Sequence, residues 1–150
     1  MATVEQMKAL VGTHMGTSEW VLVDQEMINK FADATGDHQF IHVDVEMAKM
    51  SPFGQTIAHG FLTLSLIPML SAMAELPHLD NIKMGLNYGS DRLRFLAPVK
   101  SGKRVRAHFK LASIEEKRPG QMQQMLEVTV EIEGEDKPAL ICEWISQTFV

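Results

Sequence analysis

The hydrophobic positions of this chain follow one period in the first half and another in the second. Trp20 to Val23 is a short apolar run that predicts an opening strand. Asp24 comes next, and its side chain can accept from the free amides of a helix's first turn. Beyond it Met27, Ile28, Phe31 and Ala34 recur at helical spacing, which predicts a helix capped by Asp24. Gly36 stands where that helix should stop, because glycine enters the left-handed conformation without a steric penalty. Asp37 is then the first residue past the stop, held by it yet free to face a cleft. A second short helix is predicted from Asp44 through Ala48, and Ser51-Pro52-Phe53-Gly54 reads as a turn.

From His59 to Ala74 the apolar residues fall on every side. Phe61, Leu62, Leu64, Leu66, Ile67, Met69, Leu70 and Met73 leave no polar face, so this is expected to be one helix buried nearly all round. Pro68 is a candidate kink. After Lys103 the period becomes two. Val105, Ala107, Phe109 and Leu111 alternate with Arg104, Arg106, His108 and Lys110, and Leu126, Val128, Val130 and Ile132 alternate with Glu127, Thr129, Glu131 and Glu133. Strict alternation marks antiparallel strands with one buried face. Turns are expected at Arg118-Pro119-Gly120 and Gly134-Glu135-Asp136, and a last strand from Leu140 to Phe149. An all-apolar helix and a one-sided sheet complement each other. They predict a single α+β domain over residues 1–150, with the sheet wrapped around the helix.

Composition removes function classes. The net charge of -5 argues against nucleic acid, whose phosphates call for clustered Lys and Arg. One cysteine, Cys142, excludes an internal disulfide and supplies no metal framework. The start of the chain lacks the apolar core of a signal peptide. Gly60 to Ala74 is interrupted by Thr63, Ser65, Pro68 and Ser71, and falls short of the roughly 20 residues that span a bilayer. A cytoplasmic protein without a membrane partner is therefore expected. The 11 methionines are read as adaptable core filling.

The densest polar cluster runs from Thr35 to Asp44. Asp37 and His42 lie across a loop leaving a helix, where a carboxylate and an imidazole can converge on one water molecule. Such a pair can orient the water, take its proton and return one elsewhere. Histidine suits the work because it titrates near neutrality. Spacing alone leaves a plainer reading open, with Asp37 capping the next turn and His42 pairing with it at the surface. His38, His42 and Asp44 also group loosely, but no further ligand pair supports a metal. His38, His78 and His108 are expected to face solvent.

Phe31-Ala32-Asp33-Ala34-Thr35-Gly36-Asp37, followed by Ile41-His42-Val43-Asp44 and Ala48, resembles the signature of the MaoC-like, (R)-specific enoyl-CoA hydratases. A second landmark, Ile57-Ala58-His59-Gly60-Phe61-Leu62, resembles the family's entry into the buried helix of its hot-dog fold. Asn87-Tyr88-Gly89, Val99 and the run from Arg92 to Pro98 resemble its strand region. The likeness covers Ser18 to Val150 and is strongest to the single-domain, nodulation-protein-N-like branch. The chain departs from the family pattern at Gln39-Phe40, where Asn-Pro is commoner. That keeps the catalytic spacing but trades a rigid proline for an aromatic, which points to an altered pocket shape.

What the resemblance implies is an enoyl-CoA hydratase with Asp37 and His42 as its acid–base pair. It makes Gly60 the third site residue, its N–H stabilising the enolate-like oxygen of a thioester; read from the residue alone, Gly60 can equally serve tight packing. His59 can shape the thioester site or cap the helix start. Arg92, Arg94, Lys100, Lys103 and Arg104 could meet coenzyme A phosphates or form a solvated strand face, and none is assigned. No cofactor or metal is expected, since coenzyme A enters as part of the substrate. A homodimer is implied, built by edge-to-edge joining of sheets. Two rivals stand beside this reading: a hot-dog acyl-CoA thioesterase, and a non-catalytic acyl-binding subunit.

Overall fold

In the computed structural model, which describes residues 1–150, the alternating residues of the second half lie at the centre of a six-stranded antiparallel sheet. Its strands are β1 (His14–Thr17), β2 (Val21–Val23), β3 (Met84–Phe95), β4 (Lys103–Arg118), β5 (Gln121–Ile132) and β6 (Leu140–Phe149). They lie in the order β1-β4-β5-β6-β3, with β2 pairing β4 beside β1. Facing pairs follow the predicted pattern: Val105 opposite Ile132, Ala107 opposite Val130, Phe109 opposite Val128 and Leu111 opposite Leu126, all buried. β4 runs well past Leu111. A bulge between Leu111 and Ser113 resets its alternation, so that Ile114 returns to the core.

Polar residues on the other face of β4 pair across to β5. Arg106 meets Glu131 at 2.7 Å, Lys110 meets Glu127 at 3.4 Å, and Arg104 forks onto Glu133. Lys103 faces Glu135, and Arg92 reaches Glu143 at 3.1 Å. Arg92, Lys103 and Arg104 are thus engaged on a solvated strand face, while Arg94 and Lys100 form no ion pair. At this exposure such pairs add little to stability, and more of their value lies in setting register.

The helices are α1 (Val4–Ala9), α2 (Gln25–Thr35), α3 (Phe40–Val43), α4 (Val45–Ala48), α5 (Gly60–Ser65) and α6 (Ile67–Met73). Asp24 caps α2 as expected, accepting from the Met27 N–H at 2.9 Å. The buried face of α2 is Ile28 and Ala32, with Ala34 exposed, because a four-residue step follows the helical turn and a six-residue step does not. The expected long apolar helix is two helices meeting at Leu66, and Pro68 falls in the first turn of α6, where its missing N–H costs nothing. Leu62, Leu66, Ile67 and Leu70 pack into one core with the inner faces of β4, β5 and β6. Burial is not all round: Phe61 and Met69 are exposed, since one sheet covers only part of the segment. No helix is long and apolar enough to cross a membrane.

Candidate active site

Gly36 ends α2 in the left-handed conformation, at φ 82°, with its N–H on the Ala32 carbonyl. The chain then turns through Asp37 into α3, a short helix that the apolar pattern did not predict. α3 carries His42 inward, leaving it 7% exposed. The His42 Nδ1 lies 2.7 Å from the Ile57 carbonyl oxygen. A carbonyl can only accept, so Nδ1 bears the proton and Nε2 is left with a free lone pair. The His42 backbone carbonyl in turn accepts from Gln25 Nε2 at 2.7 Å, and Gln25 Oε1 accepts from the Thr56 hydroxyl at 2.5 Å. Gln25, in the first turn of α2, therefore braces the histidine loop. No motif in the sequence marks it for that role.

His59 sits just before α5 and makes no side-chain cap of that helix. Its Nε2 donates instead to the Asp37 carbonyl oxygen at 2.9 Å. Its ring stacks on that of His42, with centroids 3.9 Å apart and planes 23° from parallel. The Phe31 ring lies 4.9 Å away at 54°. His59 is thus the residue before α5 by position, while its ring is turned to the polar cluster instead of capping the helix. Asp37 itself is exposed, and its Oδ1 accepts from the Gln39 N–H at 3.3 Å. One polar atom from each of Asp37, His42 and His59 falls within 4.8 Å of the others.

The loose grouping of His38, His42 and Asp44 does not form. His38 pairs with Asp33 at 2.8 Å, and Asp44 caps α4. His38 and His78 are exposed, whereas His108 is half-buried between Glu131 and Thr17. The cluster that does form brings one carboxylate and two imidazoles together, groups that can exchange protons or ligate an ion.

Gly60 opens α5, so its N–H belongs to the first turn, where amides lack an intrahelical partner. A Cβ at this position would come within 2.9 Å of the Phe95 ring, so only glycine allows the close approach. Gly60 and His42 line the same 340 Å³ cavity, together with Phe53, Phe61, Thr63 and Phe95. An apolar wall with a few convergent polar groups is the usual make-up of a small-molecule site. Asp37 stands outside that wall. Burial pushes the His42 pKa below 6.5; the bond to the Ile57 carbonyl and the charge of Asp37 only partly oppose it.

The sequence model described as "MaoC like domain" matches residues 6–135. Nodulation protein N of Rhizobium meliloti is 48% identical over 145 residues, covering 96% of this chain and 89% of that protein. A 3-hydroxyacyl-thioester dehydratase Z of Mycobacterium tuberculosis is 47% identical, covering 95% of this chain and 93% of its own length. The solved (R)-hydratase from A. caviae, involved in PHA biosynthesis, superposes with a TM-score of 0.72 at 23% identity, covering 90% of this chain and 96% of the other. At that identity the superposition speaks for the fold, which is the hot-dog arrangement of a long antiparallel sheet around a central helix.

Proposed function

This chain belongs to the MaoC-like dehydratase family, a family of hydro-lyases in fatty-acid metabolism, and we propose that it adds water reversibly to a trans-2-enoyl-CoA to give an (R)-3-hydroxyacyl-CoA. The observation that carries this reading is the convergence of His42 and Gly60 on one apolar cavity, with Asp37 within reach of the imidazole. Asp37 and His42 hold the attacking water between them. The free Nε2 of His42 is a suitable proton acceptor, because Nδ1 is committed to the Ile57 carbonyl. As hydroxide adds to the β-carbon, negative charge moves onto the thioester oxygen, where the Gly60 N–H can donate to it. The pair then returns a proton to the α-carbon. No net electrons move, so the reading calls for no metal or redox cofactor, and coenzyme A arrives as part of the substrate.

Incubation with crotonyl-CoA tests the assignment. Loss of enoyl absorbance without free thiol is the expected result, and release of thiol would mean a thioesterase instead. Asp37→Asn and His42→Ala are expected to lower turnover by about 100-fold or more, the usual scale for removing a positioned acid or base. Full activity in both variants would move the chemistry elsewhere and reopen the acyl-binding alternative. The Phe53, Phe61 and Phe95 walls bound the cavity, so turnover is expected to depend strongly on acyl length in a series of enoyl-CoA substrates. We also propose a homodimer, supported by the exposed apolar side chains along the edge strand β3.

A further inference from the structure

His59 has no role in the reaction as written above, yet it is 3% exposed and touches both members of the pair. We propose that His59 is a positioning residue: its imidazole tethers Asp37 by its backbone and supports His42 by its face. This rests on the acid–base reading of Asp37 and His42. The tether is the Nε2–H bond to the Asp37 carbonyl at 2.9 Å. It ties the loop after α2 to the residue immediately before Gly60, so three site positions share one anchor. The support is the ring stack at 3.9 Å, backed by Phe31.

The hydrogen bond fixes the donor: Nε2 carries the proton it gives to the Asp37 carbonyl, and the other ring nitrogen is Nδ1. That nitrogen is fully buried and has no partner. The titratable groups that face His42 are Asp37 and His59. α2 presents Phe31 and the uncharged Gln25, and the loop before α5 presents the Ile57 carbonyl.

Two substitutions separate tether from support. His59→Phe keeps an aromatic face and loses the donor; His59→Gln keeps a donor at similar reach and loses the ring. Both are assayed on crotonyl-CoA across pH, and the His42 ring nitrogens are followed by ¹⁵N NMR in the same proteins. His59→Phe is expected to lower kcat by about tenfold or more with KM within about threefold, the signature of misplaced rather than missing groups. His59→Gln should recover part of kcat but shift the acid limb of the pH profile, because His42 has lost its stacking partner. If both variants keep kcat within about twofold and His42 keeps its tautomer and titration midpoint, the proposal is wrong and His59 is packing only. Should the unmodified chain turn over no enoyl thioester, the hydratase reading fails by itself. The NMR comparison then still decides whether His59 sets the state of His42: a changed tautomer or midpoint supports it, and identical spectra overturn it.

Discussion

Burial penalises the charged form of His42, so its proton leaves at lower pH than it would from a histidine in water. The sign has two consequences. In an enzyme that needs neutral His42, the acid limb of kcat/KM should have its midpoint below 6.5, measurable in a pH–rate profile. For stability, the unfolded chain takes up the proton first as pH falls. The contribution of His42 is therefore present above 6.5 and lost as pH drops through its lower folded value, which urea unfolding at a series of pH values would show. Gly60 carries a different constraint. In Gly60→Ala the new Cβ would press on the Phe95 ring at 2.9 Å, and that ring is exposed enough to yield. Melting should therefore change little, by about 1 kcal/mol or less, while displacement of Phe95 into the cavity lowers kcat/KM by about tenfold.

At the level of elements, α2 is the device that delivers Asp37. Its start is set by the Asp24 side chain and its end by the left-handed Gly36. Asp24→Ala is expected to cost about 1 kcal/mol, and Gly36→Ala about 1–2 kcal/mol because an L side chain is strained at that φ. Urea denaturation would measure both. Gly36→Ala should also reduce turnover, since the residue that moves with the cap is Asp37. Both ends of α2 were legible in the sequence because caps are local chemistry. α3 was not. It is only four residues long with no side-chain cap, and it is held by His42 reaching Ile57 and by Gln25 reaching the His42 carbonyl. These contacts cross gaps in sequence that periodicity does not register. Pro68 marked where the apolar segment could bend, and the chain does break beside it, at Leu66; the pattern itself, apolar on every side, does not show that the break makes two separate helices.

For the whole molecule, β3 lies at one edge of the sheet and is exposed along nearly all its length. Leu86 is 49% and Tyr88 68% exposed, with Met84 close by on the same strand. A long edge with apolar side chains invites pairing with another chain. Light scattering behind size exclusion should give twice the mass of 16.8 kDa, and Leu86→Lys combined with Tyr88→Asp should return it toward the monomer. A monomer for the unmodified protein at micromolar concentration would sink the dimer.

Sequence alone determined which residues face inward along β4 and β5, because a period of two leaves each strand only one way to bury its apolar side. It also placed Asp37 just past a helix stop and named His42 and Gly60. Tertiary structure decided what these residues meet. The stack of His59 on His42, the commitment of the His42 Nδ1 proton, and the approach of Phe95 to Gly60 all join segments distant in the chain. Packing rather than local propensity sets such contacts, and no spacing rule along a single strand or helix encodes them.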